Sequence, residues 1–146
     1  MYADFYKLAA EPFQLTPDHR FFFGSTGHSQ ALAHLTYGLQ QGEGFIVVTG
    51  DIGAGKTTLV SQLLATLDSR KYIAAKIVTT QLDAGDLLRT VVNAFGIKAD
   101  MANKADMLRQ IESFFTVNYR AGKRCLLLID EAQNLTPEAL EELRML

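Results

Sequence analysis

Helical periodicity recurs along most of this chain. Between residues 28 and 41, the apolar positions Ala31, Leu32, Leu35 and Leu39 are three or four residues apart, and Gly42 follows them. This spacing predicts an amphipathic helix that ends at the glycine. The same periodicity predicts four more helices, with apolar stripes at Leu59, Val60, Leu63, Leu64 and Leu67; at Leu87, Leu88, Val91, Val92 and Phe95; at Met107, Leu108, Ile111, Phe114 and Phe115; and at Leu140 and Leu143.

Capping residues indicate where the later helices begin and end. Gly96 and Gly122 follow the third and fourth apolar stripes, where glycine readily takes the left-handed conformation that closes a helix. Thr136, Pro137 and Glu138 have the order of an N-cap, a first helical residue and a first-turn acid. The last helix is therefore predicted to begin at Pro137.

Three apolar runs without helical spacing predict strands, at residues 45–49, 72–80 and 125–129. The first run is short, β-branched and bounded by glycines, which is typical of a strand buried on both faces of a parallel sheet. Because strands alternate with helices, we expect an α/β fold, a three-layer α/β/α domain with a parallel sheet, over residues 28–146. Residues 1–27 are rich in phenylalanine and broken by Pro12 and Pro17, so we expect an ordered aromatic arm.

Composition narrows the class of protein. The 146 residues are 48% hydrophobic and 21% charged, which is ordinary for one globular domain. A net charge of only -2 provides no basic field for nucleic acid, so no nucleic-acid partner is expected. Cys125, the single cysteine, excludes an internal disulfide and favours a buried thiol in the cytoplasm. No apolar run approaches the roughly 20 residues that a membrane-spanning helix needs.

A glycine-rich loop follows the first predicted strand and precedes a predicted helix. Its sequence from Gly50 to Thr57 fits the pattern G-x-x-x-x-G-K-[ST], in which glycines let main-chain N–H groups surround phosphate oxygens. Lys56 is expected to reach the β- and γ-phosphates of ATP, and the Thr57 hydroxyl to bind Mg²⁺. The predicted nucleotide-binding residues are Gly50, Asp51, Ile52, Gly53, Ala54, Gly55, Lys56, Thr57 and Thr58.

Two carboxylates end the last predicted strand. Asp130 and Glu131 follow four apolar residues, and ligands of open α/β sheets bind at the carboxyl ends of the strands. We expect Asp130 to help hold Mg²⁺ and Glu131 to polarise the water that attacks the γ-phosphate. The predicted catalytic residues are thus Glu131 and Lys56, and the predicted metal residues Thr57 and Asp130.

Three further residues leave alternatives open. His28 begins a helix ahead of the glycine-rich loop, where it could approach the nucleotide base or be an exposed polar residue. Gln133 and Asn134 could sense the γ-phosphate or cap the turn.

The motifs and their surroundings resemble a known family. The arm with Glu11-Pro12-Phe13 and Pro17-Asp18, the helix with His28, the loop TGDIGAGKTT and the strand LLLIDEAQNL are similar to the AAA-type ATPase domain of general secretion pathway protein A and related pilus-biogenesis and exosortase- or exopolysaccharide-associated ATPases. The resemblance implies a cytoplasmic, oligomeric ATPase that works with an envelope partner protein to assemble a secretin. In the secretion member it also implies a membrane span and a periplasmic peptidoglycan-binding part.

The resemblance further implies that the family's domain continues past Leu146 into a sensor strand, an arginine finger and a helical lid. In that topology the sensor strand lies between the strand before Gly50 and the strand ending at Asp130, so without it their ladder hydrogen bonds lack partners. We therefore expect an N-terminal fragment that hydrolyses ATP poorly alone or is unstable.

Two other functions fit the same motifs. Asp130-Glu131-Ala132-Gln133 is similar to a DEAQ box, which would suit a DNA-associated motor or a transposition ATPase. A non-hydrolysing adaptor, in which ATP only orders loops for a partner, is the alternative outside the enzymes.

Overall fold

The computed structural model describes Lys7 and residues 23–79, 82–98 and 103–146. The chain divides into two compact units, Met1–Thr66 and Leu67–Leu146. Apart from Lys7 and residues 23–27, the predicted aromatic arm lies outside the described residues.

The described residues of the first unit include two helices. Helix α1 is Thr26–Gln41, and it ends at Gly42 with a left-handed φ of 77°. Helix α2 is Lys56–Thr66. Leu35 of α1 packs with Leu59 and Leu63 of α2 in a small apolar core. Both predicted helices, and the glycine stop of the first, are confirmed.

The predicted strand at residues 45–49 is wrong. These residues have no strand conformation, and Phe45 and Val47 are 64% and 82% exposed instead of buried. A strand is stable only when a neighbouring strand accepts and donates its main-chain hydrogen bonds, and the sheet in the described residues has two strands, both in the second unit. Ile46 packs across Gly38 of α1, where an added Cβ would be 2.7 Å from Ile46 Cδ1.

A two-stranded parallel sheet lies in the second unit. Strand β1 is Tyr72–Val78 and strand β2 is Arg124–Asp130, with Tyr72 opposite Arg124 and Val78 opposite Asp130. The helices around it are α3, Ala84–Ala94; α4, Lys104–Arg120; and α5, Pro137–Met145, which follows a short 3-10 helix, Ala132–Asn134. The predicted strands at 72–80 and 125–129 and the three predicted helices are confirmed, except that β1 ends at Val78 and Thr79 has no strand conformation. A parallel α/β architecture is also confirmed, whereas the three-layer arrangement stays a prediction.

Side-chain caps define the helix starts in this unit. The Thr136 hydroxyl accepts from the Ala139 N–H, and Pro137 begins α5, as the sequence predicts. Asp83 and Asn103 cap α3 and α4 in the same way. Each cap satisfies one of the N–H groups that a helix start leaves without a partner.

The larger apolar core lies where α3, α4 and α5 meet the sheet. Its buried members are Ile77, Leu87, Leu88, Val91, Val92, Met107, Ile111, Leu135, Ala139 and Leu143. Cys125 is half-buried, less than predicted, and this burial raises the pKa of its thiol. In the described part of the chain no helix is both long enough and apolar enough to cross a membrane.

The core predicts a difference between two leucines of the second unit. Leu87→Ala should lower the free energy of unfolding by about 2–5 kcal/mol, because Leu87 is fully buried and the substitution leaves a cavity. Leu140→Ala is the control and should cost less than about 1 kcal/mol, since Leu140 is 50% exposed. Urea denaturation measures both values, and equal losses would contradict this account of the core.

Candidate functional site

The glycine loop, residues 50–57, is a tight turn that runs directly into α2. The Ala54 N–H donates to the Asp51 carbonyl over 3.1 Å, which closes the turn. Gly53 and Gly55 have φ values of 78° and 84°, a region that side chains with a Cβ rarely adopt. The motif glycine at position 55 is thus required by the backbone, and the helix that follows places its positive N-terminal end at the loop.

Lys56 extends back over this loop. Its ammonium donates to the Gly50 carbonyl over 2.5 Å and to the Asp51 carbonyl over 2.8 Å. Thr57 and Thr58 lie in the first turn of α2 and are half-buried. The predicted nucleotide-binding residues therefore form one short loop and the first turn of α2. The Lys56 ammonium and the helix N-terminus are both located at this loop, and both attract anions.

His28 contacts the glycine loop through its side chain. Its Nε2 lies 2.7 Å from the Ala54 carbonyl oxygen, and its Nδ1 lies 3.0 Å from the Ser25 hydroxyl. Neither interpretation from the sequence included this contact. Local sequence patterns do not indicate a contact between a histidine and a loop residue 26 positions later.

Asp130 ends strand β2 with both carboxylate oxygens near hydrogen-bond donors. Oδ1 accepts from the Glu131 N–H over 3.0 Å, and Oδ2 lies 3.8 Å from Nζ of Lys76 on β1. The side chains of Asp130 and Lys76 are 20% and 29% exposed. Solvent still screens such a pair, so we expect it to orient the carboxylate more than it stabilises the fold.

Glu131 has an uncommon backbone conformation for a residue with a side chain. Its φ of 58° and ψ of 39° are left-handed, and its side chain is exposed. The left-handed conformation costs a non-glycine residue roughly 1–2 kcal/mol. Gln133 donates from its side-chain amide to the Glu131 carboxylate. Backbone strain of this kind is concentrated at functional sites.

Thr79 supports the turn at Glu131. It follows β1, is only 2% exposed, and its hydroxyl is shared between the carbonyls of Asp130 at 3.0 Å and Glu131 at 2.5 Å. The Thr79 N–H also donates to the Asp130 carbonyl over 3.1 Å. The Asn134 side-chain amide completes the group by donating to the Thr79 carbonyl over 3.0 Å.

Sequence reasoning missed the role of Thr79, because the strand predicted over residues 72–80 placed this residue inside the strand and not after it. A hydroxyl residue directly after a buried strand lies at the carboxyl edge of a parallel sheet, where the acid pair, Asp130 and Glu131, was expected. For Asn134 the observed bond favours the turn-capping alternative. Gln133 fits neither alternative, because its side-chain amide contacts the carboxylate of Glu131.

The predicted site residues fall into two groups. The glycine loop lies in the first unit and the acid pair in the second. The hydroxyl of Thr57 in one group and the carboxylate of Asp130 in the other are oxygens of the hard type that Mg²⁺ prefers, so each group contains a residue whose chemistry fits that ion.

Comparison with known proteins identifies the family. A family described as an AAA domain matches residues 39–146, and the chain belongs to this family. It is also 40% identical, over 147 aligned positions, to general secretion pathway protein A of Aeromonas hydrophila. That alignment covers all of this chain and 27% of the relative's length, and it confirms the resemblance drawn from the motifs. No solved structure shows significant similarity to the chain.

Removal of the Thr79 hydroxyl should weaken the turn at the acid pair. Thr79→Val is expected to lower the free energy of unfolding by about 1–2 kcal/mol, because a buried donor to two carbonyls is lost at nearly constant volume. Thr90→Val is the control, since the Thr90 hydroxyl donates to the Asp86 carbonyl within its own helix. Urea denaturation of both variants tests this, and equal effects would contradict it.

The backbone of Glu131 predicts a reversal of the usual order of glycine and alanine. Glu131→Gly should be about 1 kcal/mol more stable than Glu131→Ala, because glycine adopts the left-handed conformation without strain. At Glu112, an exposed position within α4, glycine should instead be about 1 kcal/mol less stable than alanine. Thermal unfolding of the four variants measures both differences. The same order at both positions would contradict the strain at Glu131.

Proposed function

We propose that this chain binds Mg-ATP and hydrolyses it. The observation that carries this proposal is the conformation of the glycine loop. Two of its glycines are left-handed, the Lys56 ammonium bonds the Gly50 carbonyl, and helix α2 begins at Lys56. Such a loop presents main-chain N–H groups, a helix N-terminus and a cation to a phosphate chain. Membership of the AAA domain family supports nucleotide binding independently.

The proposed binding step exchanges partners of Lys56. Its ammonium would leave the carbonyls of Gly50 and Asp51, which it contacts here, for the β- and γ-phosphates. Because a phosphate oxygen carries negative charge and a carbonyl does not, the exchange favours the bound state. The Thr57 hydroxyl would hold Mg²⁺, which when bound neutralises charge on the phosphates.

The proposed hydrolytic step belongs to the acid pair. Asp130 would orient water around Mg²⁺, and Glu131 would accept a proton from the attacking water. The amide of Gln133 contacts one oxygen of the Glu131 carboxylate, Oε2, so Oε1 would be the oxygen that accepts the proton.

The biological role is proposed from similarity. General secretion pathway protein A is named for secretion, and this chain matches about a quarter of its length. We propose that the chain is the cytoplasmic ATPase part of a homo-oligomer that assembles or remodels a cell-envelope complex with a partner protein. The net charge of -2 disfavours the DNA-associated alternative.

Two substitutions in the full-length protein separate binding from hydrolysis. Lys56→Ala should weaken Mg-ATP affinity at least about tenfold, because it removes charge-assisted hydrogen bonds to phosphate. Glu131→Gln should keep the affinity and lower turnover by about 10²–10⁴-fold, because an amide cannot accept the proton. Calorimetric titration measures affinity and phosphate release measures turnover.

Lys98→Ala and Glu112→Gln are the matched controls, since both side chains are exposed and lie away from the two motifs in sequence. ATP binding that is unchanged in Lys56→Ala would overturn the proposed site. Wild-type turnover no faster than that of Glu131→Gln would favour the non-hydrolysing adaptor. Turnover stimulated by DNA would favour the motor.

A further inference from the structure

The side chain of His28 connects the start of α1 to the glycine loop. Ser25 is the N-cap of α1, and its hydroxyl accepts from the His28 N–H over 3.3 Å. The same hydroxyl lies 3.0 Å from His28 Nδ1, while Nε2 lies 2.7 Å from the Ala54 carbonyl oxygen. One imidazole thus joins a helix cap to the centre of the loop.

The direction of these bonds follows from their chemistry. A carbonyl oxygen can only accept, so His28 Nε2 must carry the proton that bonds the Ala54 oxygen. In the neutral ring Nδ1 is then an acceptor, and the Ser25 hydroxyl, which accepts the His28 N–H with a lone pair, donates its proton to Nδ1. The N-cap therefore holds the ring in the tautomer that the Ala54 carbonyl requires.

This bond determines how the peptide between Ala54 and Gly55 is oriented. The described residues contain no cis peptide bond, so the Ala54 C=O and the Gly55 N–H point to opposite sides of this peptide. When His28 holds the carbonyl on the α1 side, the Gly55 N–H points away from α1. Rotation of this peptide would break the bond to His28 and turn the N–H with it.

The loop is shaped closely around the imidazole. A Cβ added to Gly55 would lie 2.9 Å from His28 Nε2 and 3.2 Å from Cε1. Gly55 is therefore required twice, by its φ of 84° and by the ring packed against its Cα. The last glycine of the motif and the histidine 27 positions before it form one structural unit.

We infer that His28 is a positioning residue of the glycine loop, which orients the Gly55 N–H for a nucleotide phosphate by holding the Ala54 carbonyl. This inference rests on the proposed nucleotide binding and adds to it a residue outside the motif. It differs from both alternatives that the sequence left open, approach to the base and an exposed polar residue, because Nε2 contacts the main chain of the loop.

Three substitutions in the full-length protein test the donor. His28→Phe keeps a ring against Gly55 without a donor, His28→Ala removes both, and His28→Gln restores an N–H donor on a side chain of similar reach. His34→Ala is the matched control, since His34 lies exposed on the same helix. Affinities are measured by calorimetric titration with Mg-ATP and with inorganic triphosphate plus magnesium, and urea midpoints are compared in parallel.

We expect His28→Phe and His28→Ala to bind both ligands about tenfold more weakly, the effect of losing one well-placed hydrogen bond. His28→Gln should come within about threefold of wild type, and His34→Ala should match it. A loss confined to ATP would show a base contact and overturn the inference. So would a wild-type affinity in His28→Phe, or a failure of His28→Gln to restore binding.

Lys56→Ala separates this inference from the proposed function. If Lys56→Ala loses ATP binding while His28→Phe keeps it, the inference alone fails. If the wild-type protein binds neither ATP nor triphosphate, the proposed function fails and the inference fails with it.

Discussion

Parallel pairing of β1 with β2 is the constraint on which the acid pair depends. The register sets Val78 opposite Asp130, so both strands end at the same edge of the sheet. Thr79, the next residue after β1, therefore lies beside the end of β2, and its hydroxyl bonds the carbonyls of Asp130 and Glu131. A shift of one residue would move every side chain of β1 to the opposite face and remove Thr79 from that position.

The turn after β2 combines strain with compensation. Glu131 takes a left-handed conformation that a glutamate adopts only at a cost, while its neighbours supply buried hydrogen bonds to the main chain on either side. Thr79 bonds the turn directly, and Asn134 in the short 3-10 helix supports it by donating to the Thr79 carbonyl. The carboxylate of Glu131 is thereby held at the surface in a backbone setting that a regular strand or helix would not provide.

The glycine loop depends on a different kind of support. Its glycines permit the turn, but they do not fix the orientation of the loop peptides, since glycine is the least restricted residue. Orientation comes from side chains that contact the loop carbonyls, Lys56 from α2 and His28 from α1. The strand predicted before the loop does not form, because in the described residues no neighbouring strand supplies its hydrogen bonds. Apolar, β-branched sequence alone is insufficient for a strand.

Local sequence patterns were sufficient to predict the five helices and two of the three strands, and to point to both candidate motifs, because periodicity, caps and glycine requirements are local properties. The Thr136 cap and the turn at Gly53 and Gly55 could be read without a structure for this reason. Three features became visible in the folded chain and not before: the contact of His28 with Ala54, the bonds of Thr79 to the turn of Glu131, and the absence, among the described residues, of a strand that pairs with residues 45–49. These features depend on which distant segments come together. Hydrogen bonds between such segments do not produce a periodic pattern in the sequence, so they cannot be predicted from it.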